Sequence, residues 1–134
     1  MKLNCAGLLL IQNRKLLLAY SKNKQCFYLP GGKLDDGETA SEALCREIAE
    51  ELNITITEPE LEYYTHITAP AYGEETGTIM EQDCFILNQA VSPKPSAEIG
   101  ELKYFSLNDY SLETNQAPGA LMVLQQLRSD GCID

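Results

Sequence analysis

The middle of this chain is fixed by a Leu29-Pro30-Gly31-Gly32 stop followed by a helix start at Thr39-x-x-Glu42. Proline and paired glycines end an extended apolar segment, because Pro lacks a ladder donor and Gly weakens a strand. Thr39 and Glu42 have the spacing of a reciprocal capping box, in which each side chain bonds the other residue's backbone N–H. The helix therefore should run from about Ala40 to Leu52, with Ala40, Leu44, Ile48 and Leu52 as its core-facing stripe. Glu47, Glu50 and Glu51 crowd into its last turns. At about 100° per residue they span an arc of roughly 100°. They also lie where the helix dipole already disfavours negative charge. Each like-charge pair costs about 0.2–0.5 kcal/mol in an isolated helix. The cluster makes physical sense at the rim of the core, facing a cleft that holds a hard divalent cation, which takes carboxylate and phosphate oxygens.

Around this helix the chain reads as strands. Leu3–Ile11 and Lys15–Ser21 flank Gln12-Asn13-Arg14 as a hairpin, and Cys26–Leu29 is a short strand ended by Pro30. After the helix, Leu61, Tyr63, Thr65 and Ile67 alternate with polar neighbours, which predicts one strand face. Residues 69–78 read as an exposed loop, with strands over Met80–Leu87 and Leu102–Phe105 beyond it. A closing helix should span Pro118 to Arg128, with Pro in its first turn. Strands on both sides of one helix, with another at the end, predict an α/β fold with a mixed sheet between helices.

The central segment resembles the signature of the Nudix hydrolases (the MutT-like family). Gly32, Glu38, Arg46, Glu47, Ile48, Glu50, Glu51 and Ile54 stand at matching positions, after the usual Leu29-Pro30-Gly31 lead-in. One position departs: Asn53 replaces a glycine that follows the helix end. Asn is the usual second choice for the left-handed conformation expected there. The resemblance implies a Nudix-type α/β/α sandwich over residues 1–134 as one domain. It also implies Mg²⁺-dependent (or Mn²⁺-dependent) hydrolysis of a diphosphate bond in a nucleoside diphosphate linked to another group. Free nucleoside triphosphates and similar small nucleotides are the expected substrates. Glu47, Glu50 and Glu51 would bind metal, one of them serving as base, and the Gly32 carbonyl would be a further ligand. Glu38 and Arg46 would brace the loop against the helix by a charged pair, and Lys33 would meet a substrate phosphate. Family members carry another glutamate near the position of Glu98 and Glu101; of the two, Glu98 is favoured as catalytic. Phe27, Tyr28 and Tyr72 are either stacking surfaces for a base or packing residues. The rival reading is a non-catalytic sensor of nucleotides or sugar nucleotides on the same fold; such a module would be expected to lose acidic ligands, and here all are present.

Composition narrows the partners. The 134 residues carry 20 acidic and 10 basic side chains, a formal charge of −10, which disfavours a long nucleic-acid backbone as partner. The single histidine, His66, rules out a multi-histidine zinc site. It also lies on a predicted strand with no nucleophile elbow nearby. Five scattered cysteines (Cys5, Cys26, Cys45, Cys84 and Cys132) show no paired spacing, which fits a reducing cytoplasm. Cys45 and Cys84 read as small core residues. The apolar start near Ala6–Ile11 is too short for a signal peptide, and no membrane span is expected.

Overall fold

The computed structural model describes residues 1–134. Its strands are β1 (Lys2–Leu9), β2 (Ile11–Gln12), β3 (Lys15–Ser21), β4 (Cys26–Tyr28), β5 (Gly31–Lys33), β6 (Leu61–Pro70), β7 (Ile79–Leu87) and β8 (Ile99–Phe105). The helices are α1 (Ala40–Leu52), α2 (Leu107–Ser111) and α3 (Pro118–Ser129). One sheet is mixed, in the order β5-β1-β7-β6, with β1 and β7 parallel. The other is antiparallel: β3 pairs with β2, β4 and β8.

Alternation along the central strands sets the layers. Ala6, Leu8 and Leu17 pack with Leu44, Ile48 and Leu52 of α1. Leu9, Leu16 and Leu18 face the other way and pack with Val123, Leu124 and Leu127 of α3. Apolar surface is thereby buried on both faces, the sandwich expected from the element order. α1 has the predicted bounds, and both halves of its capping box form.

The structure departs from the sequence expectations at several points. The first apolar run is two strands in two sheets, because the chain crosses over at Leu10. The hairpin turn is Asn13-Arg14, both at positive φ. Arg14 is held there by Asp134 and by the carbonyls of Gly131 and Ile133. The two glycines continue beyond Pro30 into β5, an edge strand paired antiparallel with β1. The even alternation expected from Leu61 to Ile67 is broken by a bulge between Tyr63 and Thr65. A bulge inserts one residue and reverses the facing that follows it. Tyr63 consequently points outward at 55% exposure, while Tyr64 packs against the α3 core. Cys84 is fully buried, but Cys45 is only half-buried. No helix is long and apolar enough to cross a membrane.

Candidate active site

Gly31 and Gly32 let the acidic turn of α1 come up against the β5 backbone. Gly31 has φ +138°, and a Cβ there would lie 2.0 Å from the Ala6 carbonyl oxygen. A Cβ at Gly32 would lie 2.6 Å from the Glu47 carboxyl carbon. No other residue fits at Gly31, and a side chain at Gly32 would push the Glu47 carboxylate aside, so the glycines make room for the sheet partner and for a carboxylate. The Gly31 N–H donates to Glu51 Oε1 at 3.0 Å. Glu51 is 8% exposed and has no cationic side chain in contact. Burial, with Glu47, Glu98 and Glu50 adding repulsion, raises its pKa to about 8 against the Gly31 hydrogen bond.

Arg46 organises the other side of the turn. Its Nε and Nη2 make a bidentate pair with Glu38, both at 2.9 Å. Nη2 also donates to the Lys33 carbonyl at 3.1 Å, and Nη1 to Glu47 at 2.7 Å. Glu38 in turn accepts the Asp35 N–H at 2.8 Å. The Arg46 guanidinium, followed by that N–H, lowers the Glu38 pKa to about 2. The expected brace between Glu38 and Arg46 therefore exists, and it also fixes Glu47 and the end of β5.

Glu98 reaches the same place from a distant part of the chain. The carbonyls at the end of α1 would be orphaned without partners. The segment before β8 supplies them: Lys94 N–H donates to the Leu52 carbonyl at 2.8 Å and Ser96 N–H to the Glu51 carbonyl at 3.0 Å. The Ser96 hydroxyl donates to the Glu50 carbonyl. Asn53, in the left-handed conformation at φ 56°, donates from Nδ2 to the Lys94 carbonyl at 3.0 Å. This docking carries Glu98 to Ser21, whose hydroxyl donates to one Glu98 oxygen.

These elements enclose a cavity of about 410 Å³, within the usual range for a small-molecule site. Gly32, Lys33, Glu47, Glu51 and Glu98 line it, together with Tyr28 and Tyr72. Glu50 does not: its side chain is 60% exposed, with Arg46 as its nearest partner at 4.0 Å. The three helix glutamates expected to converge are thus two on the wall and one on the flank, because Glu50 lies a residue further round the helix. No three acidic, histidine or cysteine side chains converge on one point in this arrangement. Glu101 lies opposite Tyr20 in the β3–β8 ladder and is not on the cavity. Phe27 is core, packed edge-on against Phe105.

The sequence reading missed Lys24, Glu74 and Gln82 on the cavity wall. Gln82 is a buried polar residue at 6% exposure, but it stands between Glu81 and Asp83 in β7, so nothing in the sequence set it apart. Lys24 and Glu74 lie in turns and carried no signal either. Among the lining groups, the Glu47 and Glu51 carboxylates and the Gly32 carbonyl are hard oxygen donors that suit a divalent cation, and Glu51 is buried with no ion-pair partner.

A family model described as the NUDIX domain matches residues 1–127. Solved structures similar to this chain include a MutT NUDIX hydrolase from Burkholderia pseudomallei, at 22% identity over 95% of this chain and 98% of that one, TM-score 0.78. An Ap4A hydrolase from C. elegans is 21% identical over 96% and 95% of the two chains, TM-score 0.65. A bifunctional NMN adenylyltransferase/ADP ribose pyrophosphatase from Francisella tularensis, complexed with AMP and a Mn ion, is 23% identical over 98% of this chain and 42% of that one, TM-score 0.66. At these identities the likeness is one of fold. No curated protein matches this sequence.

Proposed function

Because the chain belongs to the NUDIX family of pyrophosphohydrolases, we propose that it is a Mg²⁺-dependent hydrolase of small nucleotides, with nucleoside triphosphates as the first substrates to test. The observation that carries this reading is Glu51, a buried carboxylate without a cation partner, on one wall with Glu47 and Glu98. Burial holds that carboxyl in its neutral form near pH 7, and a cation bound in the open cavity is what would let it ionise there. The names of similar proteins, an ADP ribose pyrophosphatase and an Ap4A hydrolase among them, support a nucleotide linked through a diphosphate.

Glu47, Glu51 and the Gly32 carbonyl would hold the cation, and Glu50 would join them by rotating in from its exposed flank. When bound, the cation would supply neutralisation of phosphate charge and a more acidic water. Mn²⁺ has the same oxygen preference. Phosphoryl chemistry asks the protein mainly for alignment and charge compensation. Arg46 keeps Glu47 and the β5 backbone in register through its fixed pairs. Ser21 orients Glu98, whose second oxygen takes no hydrogen bond from the protein. That oxygen is the acceptor for the proton of the attacking water. Lys33 meets a phosphate oxygen, and Tyr28 or Tyr72 offers a ring for the base. Free thiols and free nucleotides suit the cytoplasm.

The test is product release from a panel of nucleoside triphosphates, dinucleoside polyphosphates and nucleotide sugars, with Mg²⁺, with Mn²⁺ and with EDTA. Cation-dependent release from at least one compound is expected. Tight nucleotide binding without release under every condition would favour a sensor instead.

A further inference from the structure

The cavity has two basic lining residues, Lys24 and Lys33, against four carboxylates, Glu47, Glu51, Glu74 and Glu98. Both lysines are engaged by one of those carboxylates. Lys24 Nζ lies 3.3 Å from Glu74 Oε2, and Lys33 Nζ lies 3.4 Å from Glu74 Oε1. The three residues come from separate segments: the turn between β3 and β4, the end of β5, and the loop between β6 and β7. Gly73 seats the loop on the Lys24 stem, since a Cβ there would come within 2.9 Å of Lys24 Cγ. The Glu74 N–H donates to the Ala71 carbonyl at 3.3 Å. Lys24, then Lys33, holds the Glu74 carboxyl below the usual carboxylate range.

The Lys33 side of this bridge is open to water and such a pair contributes little to stability, so stabilising the fold is a weak reason for one carboxylate to bridge two ammoniums at the wall of an acidic cavity. A phosphate group presents several anionic oxygens on one atom and can bridge the same two ammoniums with more charge. We propose that Lys24 and Lys33 form a subsite for the terminal phosphate of the substrate, and that Glu74 occupies it until a phosphate takes both lysines over. The inference rests on the nucleotide-hydrolase reading and narrows it. Substrates ending in a free phosphate are preferred over those whose diphosphate is esterified at both ends. Lys24 and Lys33 are positioning residues: they align the phosphate chain past the carboxylates and do not touch the bond that breaks.

The experiment is titration of the full-length protein with inorganic tripolyphosphate at saturating Mg²⁺, alongside kcat and KM for the best nucleotide of the panel. Glu74→Gln should tighten tripolyphosphate binding at least about threefold, and Lys24→Gln with Lys33→Gln should weaken it by at least as much. The nucleotide effect should fall on KM rather than kcat. In the background lacking both lysines, Glu74→Gln should change binding little, because the carboxylate then has nothing to release. No tightening in Glu74→Gln overturns the subsite. So does tightening that persists undiminished without the lysines, which would mean only general repulsion between Glu74 and the anion. Binding in the expected pattern by a protein that hydrolyses no nucleotide supports the subsite and overturns the hydrolase reading.

Discussion

On the proposed reading, Glu51 is the residue whose ionisation links stability to metal. Burial, more than the neighbouring carboxylates, pushes its carboxyl up from the ordinary 4.5 to about 8. A raised carboxyl pKa means the folded state binds the extra proton, so its contribution to stability is fullest below about pH 4.5 and is lost as pH rises toward 8. Glu51→Gln keeps an acceptor for the Gly31 N–H but cannot ionise. Metal-free wild type should therefore lose melting temperature relative to this variant between about pH 5 and 8, and Mg²⁺ should restore wild type only. Calorimetric binding of Mg²⁺ near pH 7 should release a proton, seen as a buffer-dependent enthalpy. Parallel pH profiles for the two proteins would mean Glu51 is ionised in the folded state without metal. The carboxylate cluster was visible in the sequence through spacing alone. That Glu51 would be buried and Glu50 exposed was not, since one residue's rotation around α1 decides it.

The end of α1 is where an element, rather than a residue, builds the site. Lys94 and Ser96 cap three of its last carbonyls and so tie the segment carrying Glu98, just before β8, to the helix carrying Glu47 and Glu51. Ser96→Ala should cost about 1 kcal/mol in chemical denaturation, the usual worth of a lost hydrogen bond. It should lower kcat more than it changes KM, because Glu98 is then less well placed. Asn53 closes the same turn at positive φ. Asn53→Gly should be close to neutral, gaining backbone ease while losing the bond to the Lys94 carbonyl. Asn53→Val should cost about 1–2 kcal/mol, since a β-branched residue is strained there. Equal melts for Gly and Val would mean the chain leaves the left-handed region at this point. Local signals explain why α1 and α3 were legible: a capping box, an N-terminal proline and a clean apolar stripe. α2 was not, because five residues carry no periodicity. It is held by Tyr110, whose hydroxyl donates to the Phe27 carbonyl at 2.6 Å and accepts the Ala117 N–H at 2.8 Å. The cap by residues 94–96 was equally hidden, since it joins segments more than forty positions apart in a way that no local pattern records.

Across the whole molecule, the layers followed from hydrophobic alternation, but the division of strands between two sheets did not. A run such as Leu3–Ile11 looks continuous, and only tertiary pairing shows that it crosses from one sheet to the other at Leu10. The cavity lies among segments from both halves of the chain, which is why Lys24, Glu74 and Gln82 went unread. Net charge acts at this scale too. With −10 over 134 residues, long polyanions are repelled and counterion release offers little gain. Capped or triphosphorylated oligonucleotides should be processed much more slowly than free nucleotides at physiological salt, and equal rates would contradict that. The central claim is that Glu51, with Glu47, makes this cavity a cation-dependent site for cleaving a diphosphate bond. Its most direct test is initial rate against Mg²⁺ concentration for wild type and Glu51→Gln on the best nucleotide of the panel. The account predicts saturable activation of wild type, abolition by EDTA, and a loss of at least about a hundredfold in the variant at saturating Mg²⁺. Wild-type turnover that is indifferent to EDTA, or a folded Glu51→Gln protein as active as wild type, would contradict it.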